Sequence, residues 1–193
     1  MSVSRSFLML LAVATLMPLV GCGLLFEKQH PKDAELIENF RRHRQEFEAL
    51  IEVFRSDTGV GRVGATFTRS SDFFGKCADS QTRDASKGTG SSDTWDGQPI
   101  HVSKERFLDY QRRFKDLGLT AGIEGYCAKD LIGMYASTQG LSVTGSSKGY
   151  AFMTKPPQIL VDDLDSFWSE DGRSFTAYRR IDGNWYLFFD YED

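Results

Sequence analysis

The chain has no excess of basic charge: 23 Lys and Arg stand against 27 Asp and Glu, a formal net charge of −4. That balance excludes the basic footprint of a nucleic-acid binder, so no nucleic-acid partner is expected. Cysteine is scarce, with 3 in 193 residues, which rules out a disulfide-built miniature scaffold. Histidine is equally scarce, at 3, and no three cleanly placed ligands suggest a catalytic metal. No apolar run reaches the roughly 20 residues that a membrane-spanning helix needs. Several catalytic signatures are missing: no His-Glu-x-x-His, no phosphate-binding Gly-x-x-x-x-Gly-Lys-Ser/Thr loop and no Cys-x-x-Cys. No cofactor, metal or enzymatic activity is therefore expected.

What is present is an ordinary globular composition, 40% hydrophobic and 26% charged, with 15 Phe. The length suits one domain. The first residues stand apart. Arg5 precedes an apolar run from Phe7 to Met17, closed by Pro18, which reads as a signal peptide over residues 1–21. Leu19-Val20-Gly21-Cys22 follows at once. This order, in this position, resembles the lipobox of bacterial lipoproteins. The resemblance implies cleavage before Cys22, lipidation of its thiol and acylation of the new amine. The bilayer is then the partner of the acylated Cys22, and palmitate-type chains replace a spanning helix. Within that resemblance Gly23, rather than Asp, implies transport to the outer membrane; a body on the periplasmic face is expected over a surface-exposed one, although no residue fixes the side. Removing residues 1–21 leaves 172 residues and takes the charge to −5, because Arg5 is the one charge lost.

Without Cys22 two cysteines remain, Cys77 and Cys127. In an oxidising compartment such a pair reads as a disulfide, with two free buried thiols as the alternative. The bridge would contribute roughly 4 kcal/mol in the chain-entropy account. Residues 22–32 form a lipidated tether of at most ~35 Å extended length, with Leu24, Leu25 and Phe26 placed to dip into the interface.

Residues 33–193 read as a single α+β domain. Ile37, Phe40, Phe47, Leu50, Ile51 and Phe54 recur at helical spacing and predict one helix from a cap at Asp33 to about Arg55. His43 and Arg44 fall on or beside that stripe. Their simplest reading is an edge position, with Arg44 burying only its stem. Ser103 caps a second helix, which carries Phe107, Tyr110, Phe114 and Leu117 on one face and ends at Gly118. Strands are expected over 60–69, 120–126, 131–137, 140–146, 149–155, 175–181 and 185–191. The expected architecture is an antiparallel sheet of about five or six strands with two amphipathic helices packed on it. The small, polar stretch near 78–99 reads as a flexible loop whose one large apolar residue is Trp95.

The Asp182-Gly183 turn predicts a closing hairpin. Trp185, Leu187 and Phe189 alternate with Tyr186 and Phe188, so both faces of its second strand should be covered, at the centre of the core. Two local groups invite a chemical reading. Ser146-Ser147-Lys148-Gly149-Tyr150 has the elements of a Ser–Lys dyad, but beside Gly it reads as a hairpin tip. Asp162, Asp163 and Asp165 lack the spacing of a calcium loop and read as a solvated acidic loop.

Residues 145–187 contain Gly-Ser-Ser-Lys-Gly-Tyr-Ala-Phe, Lys-Pro-Pro-Gln-Ile-Leu-Val-Asp-Asp-Leu-Asp and Tyr-Arg-Arg-Ile-Asp-Gly-Asn-Trp-Tyr-Leu. This pattern resembles small proteobacterial lipoproteins of unassigned function, and Phe-Arg-Arg-His-Arg-Gln-Glu-Phe in the first helix fits it. It implies no activity. The expectation is a non-enzymatic envelope lipoprotein that binds or scaffolds an envelope protein. A periplasmic immunity or inhibitor lipoprotein and an envelope hydrolase are the alternatives.

Overall fold

The computed structural model describes residues 30–70, 93–94, 102–126, 129–141, 144–168 and 173–193. Cys22, Cys77, Cys127 and Trp95 lie outside the described residues, as does nearly all of the 78–99 stretch. The fold is α+β. Its helices are α1 (Asp33–Arg42), α2 (Arg44–Ser56) and α3 (Lys104–Leu117). Its strands are β1 (Val60–Val63), β2 (Phe67–Ser70), β3 (Asp93–Thr94), β4 (Gly122–Tyr126), β5 (Leu131–Leu141), β6 (Thr144–Met153), β7 (Phe175–Asp182) and β8 (Trp185–Glu192). They form one sheet in the order β3-β2-β1-β4-β5-β6-β8-β7, with every neighbouring pair antiparallel.

The architecture is as expected, with more pieces. Seven strands have four residues or more, and the two-residue β3 adds an edge inside the stretch read as a loop. The expected strand over 60–69 is a hairpin, β1 and β2. The expected first helix is interrupted at His43, whose backbone (φ −117°, ψ 27°) is not helical. The apolar stripe has polar residues at this point. The interruption keeps Phe40 and Phe47 buried while Arg44 stays about half exposed, paired with Glu48 and Asp182. Asp33 does not cap α1: it is the first helical residue and is itself buried.

α3 follows its sequence signals. The Ser103 hydroxyl accepts from the Arg106 amide at 3.2 Å, and Gly118 closes the helix at φ 70°, a left-handed conformation that glycine adopts without strain. The helices bury Phe40, Phe47, Leu50, Phe54, Tyr110 and Phe114 against Ile123, Ile132, Met134, Tyr150, Trp185 and Leu187 on one sheet face. The other face carries a smaller cluster of Ala151, Met153, Tyr186 and Phe188. The alternation in β8 is thus used on both faces. The strand lies one place in from the sheet edge rather than at its centre, and Phe189 is only half-buried.

Residues 140–146 do not form a separate strand. β5 and β6 are one long hairpin, with Leu141 opposite Thr144, and the Ser146–Tyr150 segment lies well inside β6. Gly149 belongs there for space. A Cβ on it would come within 2.0 Å of the Met134 carbonyl oxygen, next to the irregular register between Tyr135 and Ser137.

Candidate functional site

Lys148 was expected at an exposed turn, and the structure buries it. Its side chain is 3% exposed, on the same face of β6 as Tyr150. A lone buried ammonium would cost several kcal/mol, so partners are required. They come from far along the chain. The Lys148 Nζ lies 2.7 Å from Asp33 Oδ1 and 2.6 Å from Asp165 Oδ1. Arg179, from β7, reaches Asp33 Oδ2 at 2.8 Å. The Leu164 amide donates to the same oxygen at 2.9 Å. Burial alone would raise the Asp33 pKa. Hydrogen bonds from Lys148, Arg179 and Leu164 outweigh that and hold it below its ordinary value.

The acidic segment is therefore not simply solvated. Asp165 closes the N-terminus of α1, accepting from the Asp33 amide at 3.2 Å, where a carboxylate is favoured by the unpaired amides and the helix dipole. Asp163 fixes the turn that presents it, accepting from the Asp165 amide and the Ser166 hydroxyl. Carboxylate oxygens of Asp33, Asp163 and Asp165 approach within 4.8 Å of one another, as ligands of a cation would. The Lys148 ammonium already contacts Asp33 and Asp165, so the protein supplies its own counter-charge.

Next to this cluster lies His30, three residues before the start of α1. The His30 Nδ1 is 2.6 Å from Ser137 Oγ, and its Nε2 is 2.7 Å from Ser146 Oγ. The ring also stands edge-on to Phe189, with centroids 5.5 Å apart. Burial, and then the charge of Lys148, lower the His30 pKa. A Ser–His contact is one part of a hydrolase site. Here the second ring nitrogen meets a hydroxyl rather than a carboxylate, so the orienting acid of a triad is not at that position. The same geometry works as a clamp, with one imidazole joining β5 to β6 and fixing the chain just before α1. A Ser–Lys dyad fares worse, because Lys148 is bound to two carboxylates.

Two shallow depressions lie elsewhere. One is lined by Glu46, Asp109, Arg112, Arg113 and Asp116, and the other by Phe40, Arg41, Arg44 and Asp182. Neither touches the His30–Lys148 cluster. Among the described residues, no helix is long and apolar enough to cross a membrane. The chain matches no known family model, no curated protein and no solved structure.

Sequence reasoning missed this cluster. In the sequence Lys148 stands out only through its neighbours Ser146 and Ser147, and His30 falls in the segment before the first helix. The readable signal was one of alternation. In a strand through Tyr150 and Phe152, Lys148 falls on the apolar face, where a charge must find a partner.

Proposed function

We propose that this chain is a lipid-anchored envelope protein whose folded body is a non-enzymatic binding or scaffolding domain. Cys22 is its lipidated N-terminus, the outer membrane is its destination, and the body faces the periplasm. The observation that carries this reading is the fastening of the tether. Only eight residue steps separate Cys22 from His30, at most about 28 Å of chain. At His30 and Asp33 the chain is held to the sheet by two hydroxyl contacts and a buried ion cluster. Such an attachment suits a domain that must keep a set height and orientation over its anchor. Cys77 and Cys127 would be bridged in that compartment.

Mass spectrometry of the mature protein tests the anchor. Residues 1–21 should be missing and Cys22 should carry acyl mass, and Cys22→Ser should shift the protein from the membrane to the soluble fraction. An unmodified Cys22, or a product retaining Met1, would contradict the reading. Thiol labelling of the unreduced protein should leave Cys77 and Cys127 unmodified.

One observation favours the hydrolase alternative, the 2.7 Å contact between Ser146 and His30. A fluorophosphonate probe separates the two. The clamp predicts no adduct, whereas labelling lost in Ser146→Ala would establish a nucleophile.

A further inference from the structure

A continuous run of rings leads from the tether to the surface. His30 meets Phe189, and Phe189 meets Phe175 at a centroid separation of 5.7 Å. Phe175 in turn meets Phe167 at 5.3 Å and Tyr191 at 5.8 Å. Tyr191 packs against Trp168 at 4.7 Å. The inner rings are half-buried, but the run ends in the open, with Trp168 54% exposed. A large indole left this far in water, on a support of other rings, is unusual enough to ask what covers it.

We propose that Trp168 and Tyr191 dock against the headgroup region of the bilayer that carries the anchor. The proposal rests on lipidation at Cys22. The chain outside the described residues supplies the argument, through its length and where it ends. It ends at His30, at the head of this run of rings. With at most about 28 Å of chain back to Cys22, the His30 end of the domain cannot leave the membrane's vicinity. Indole and phenol rings favour that interface, where an apolar body and a polar edge are both satisfied. β8 ends in exposed Glu192 and Asp193, so an uncharged, zwitterionic surface suits the patch better than an anionic one. Docking would add a second point of contact with the bilayer beside the anchor at Cys22.

The test uses acylated mature protein on phosphatidylcholine vesicles, with and without brominated acyl chains. Bromine quenches only those tryptophans that reach the lipid. Of the 3 tryptophans, Trp185 is 3% exposed and serves as an internal unquenched reference. Wild type should be quenched on brominated vesicles. Trp168→Phe should lose most of that quenching while still floating with the vesicles, and Trp95→Phe should keep most of it. Trp168→Tyr serves if the Phe variant melts early. Acylated, floating protein that is not quenched, or is quenched equally after Trp168→Phe, overturns the docking and leaves the patch to a protein partner. Protein without acyl mass that does not float overturns the anchor, and the docking with it.

Discussion

Tyr150 and Lys148 lie two residues apart on β6 and both hold α1, yet they do so by opposite physics. Around Tyr150 the contacts are aromatic and dry. Phe47 is 4.5 Å away between ring centroids, Phe40 is 6.4 Å away, and Trp185 packs against both phenylalanines. The one polar atom, the Tyr150 hydroxyl, is satisfied by the Asn39 amide and the Leu36 carbonyl. Around Lys148 the contacts are ionic, and each partner comes from a different element: Asp33 from α1, Asp165 from the segment before β7, and Arg179 from β7, through Asp33. The dry end gains from area removed from water and from close packing of its rings. The charged end gains little net energy, because desolvation offsets most of the attraction, but it is intolerant of losing any one member. The difference suits their places. The dry end makes the domain fold, and the charged end fixes the start of α1 on the sheet.

The largest effect should come from the dry end. Phe47 is fully buried, so Phe47→Ala should cost about 3–5 kcal/mol, read as a drop in the denaturant midpoint. Phe189→Ala should cost less, because Phe189 is only half-buried. Equal losses would break the distinction between the core and the His30 end of the sheet.

Lys148→Met should come next, at about 3 kcal/mol, although it adds apolar surface, because it leaves the Asp33 carboxylate buried beside one fewer cation. A variant as stable as wild type would mean that Arg179 alone satisfies Asp33.

His30 sharpens the comparison through pH. His30→Ala removes two hydroxyl contacts and should cost about 0.5–1.5 kcal/mol for each. The His30 pKa is lowered in the folded state from 6.5, so the unfolded chain binds the proton more readily. The contribution of the neutral ring is therefore fully present above pH 6.5 and declines as the pH falls below it. Asp33, held below its ordinary value of 3.8, adds a second loss at lower pH, as its carboxylate is protonated. Melting curves of His30→Gln should lack the first decline and keep the second.

The smallest effect is expected at the surface. Arg42 and Glu38 pair at 3.3 Å with both side chains mostly exposed, so Arg42→Ala should leave the melting temperature unchanged within error.

The two regions also differ in how much the sequence discloses. Phe47, Leu50 and Phe54, or Trp185 and Leu187, announce themselves by period, since burying a face demands a repeat. The closing hairpin was legible from Asp182-Gly183 and the α3 boundaries from Ser103 and Gly118, because turns and caps are local chemistry. Lys148 has no local partner. Asp33 and Asp165 are brought to it only by the β5–β6 hairpin and the docking of α1, and the glycines at 145 and 149 imitate a turn. The interruption at His43 was half legible, as a polar pair on an apolar stripe. His30 was hidden by its position, since a residue before the first helix carries no periodic signal.

A double-mutant cycle between Lys148→Met and Asp33→Asn, read by denaturant unfolding, tests the charged fastening most directly. If the two side chains act as one unit that pins the start of α1 to β6, their effects should fall short of additivity by about 1–3 kcal/mol. Effects that add to within about 0.5 kcal/mol would show the two groups to be independent, and the start of α1 to be held by something else.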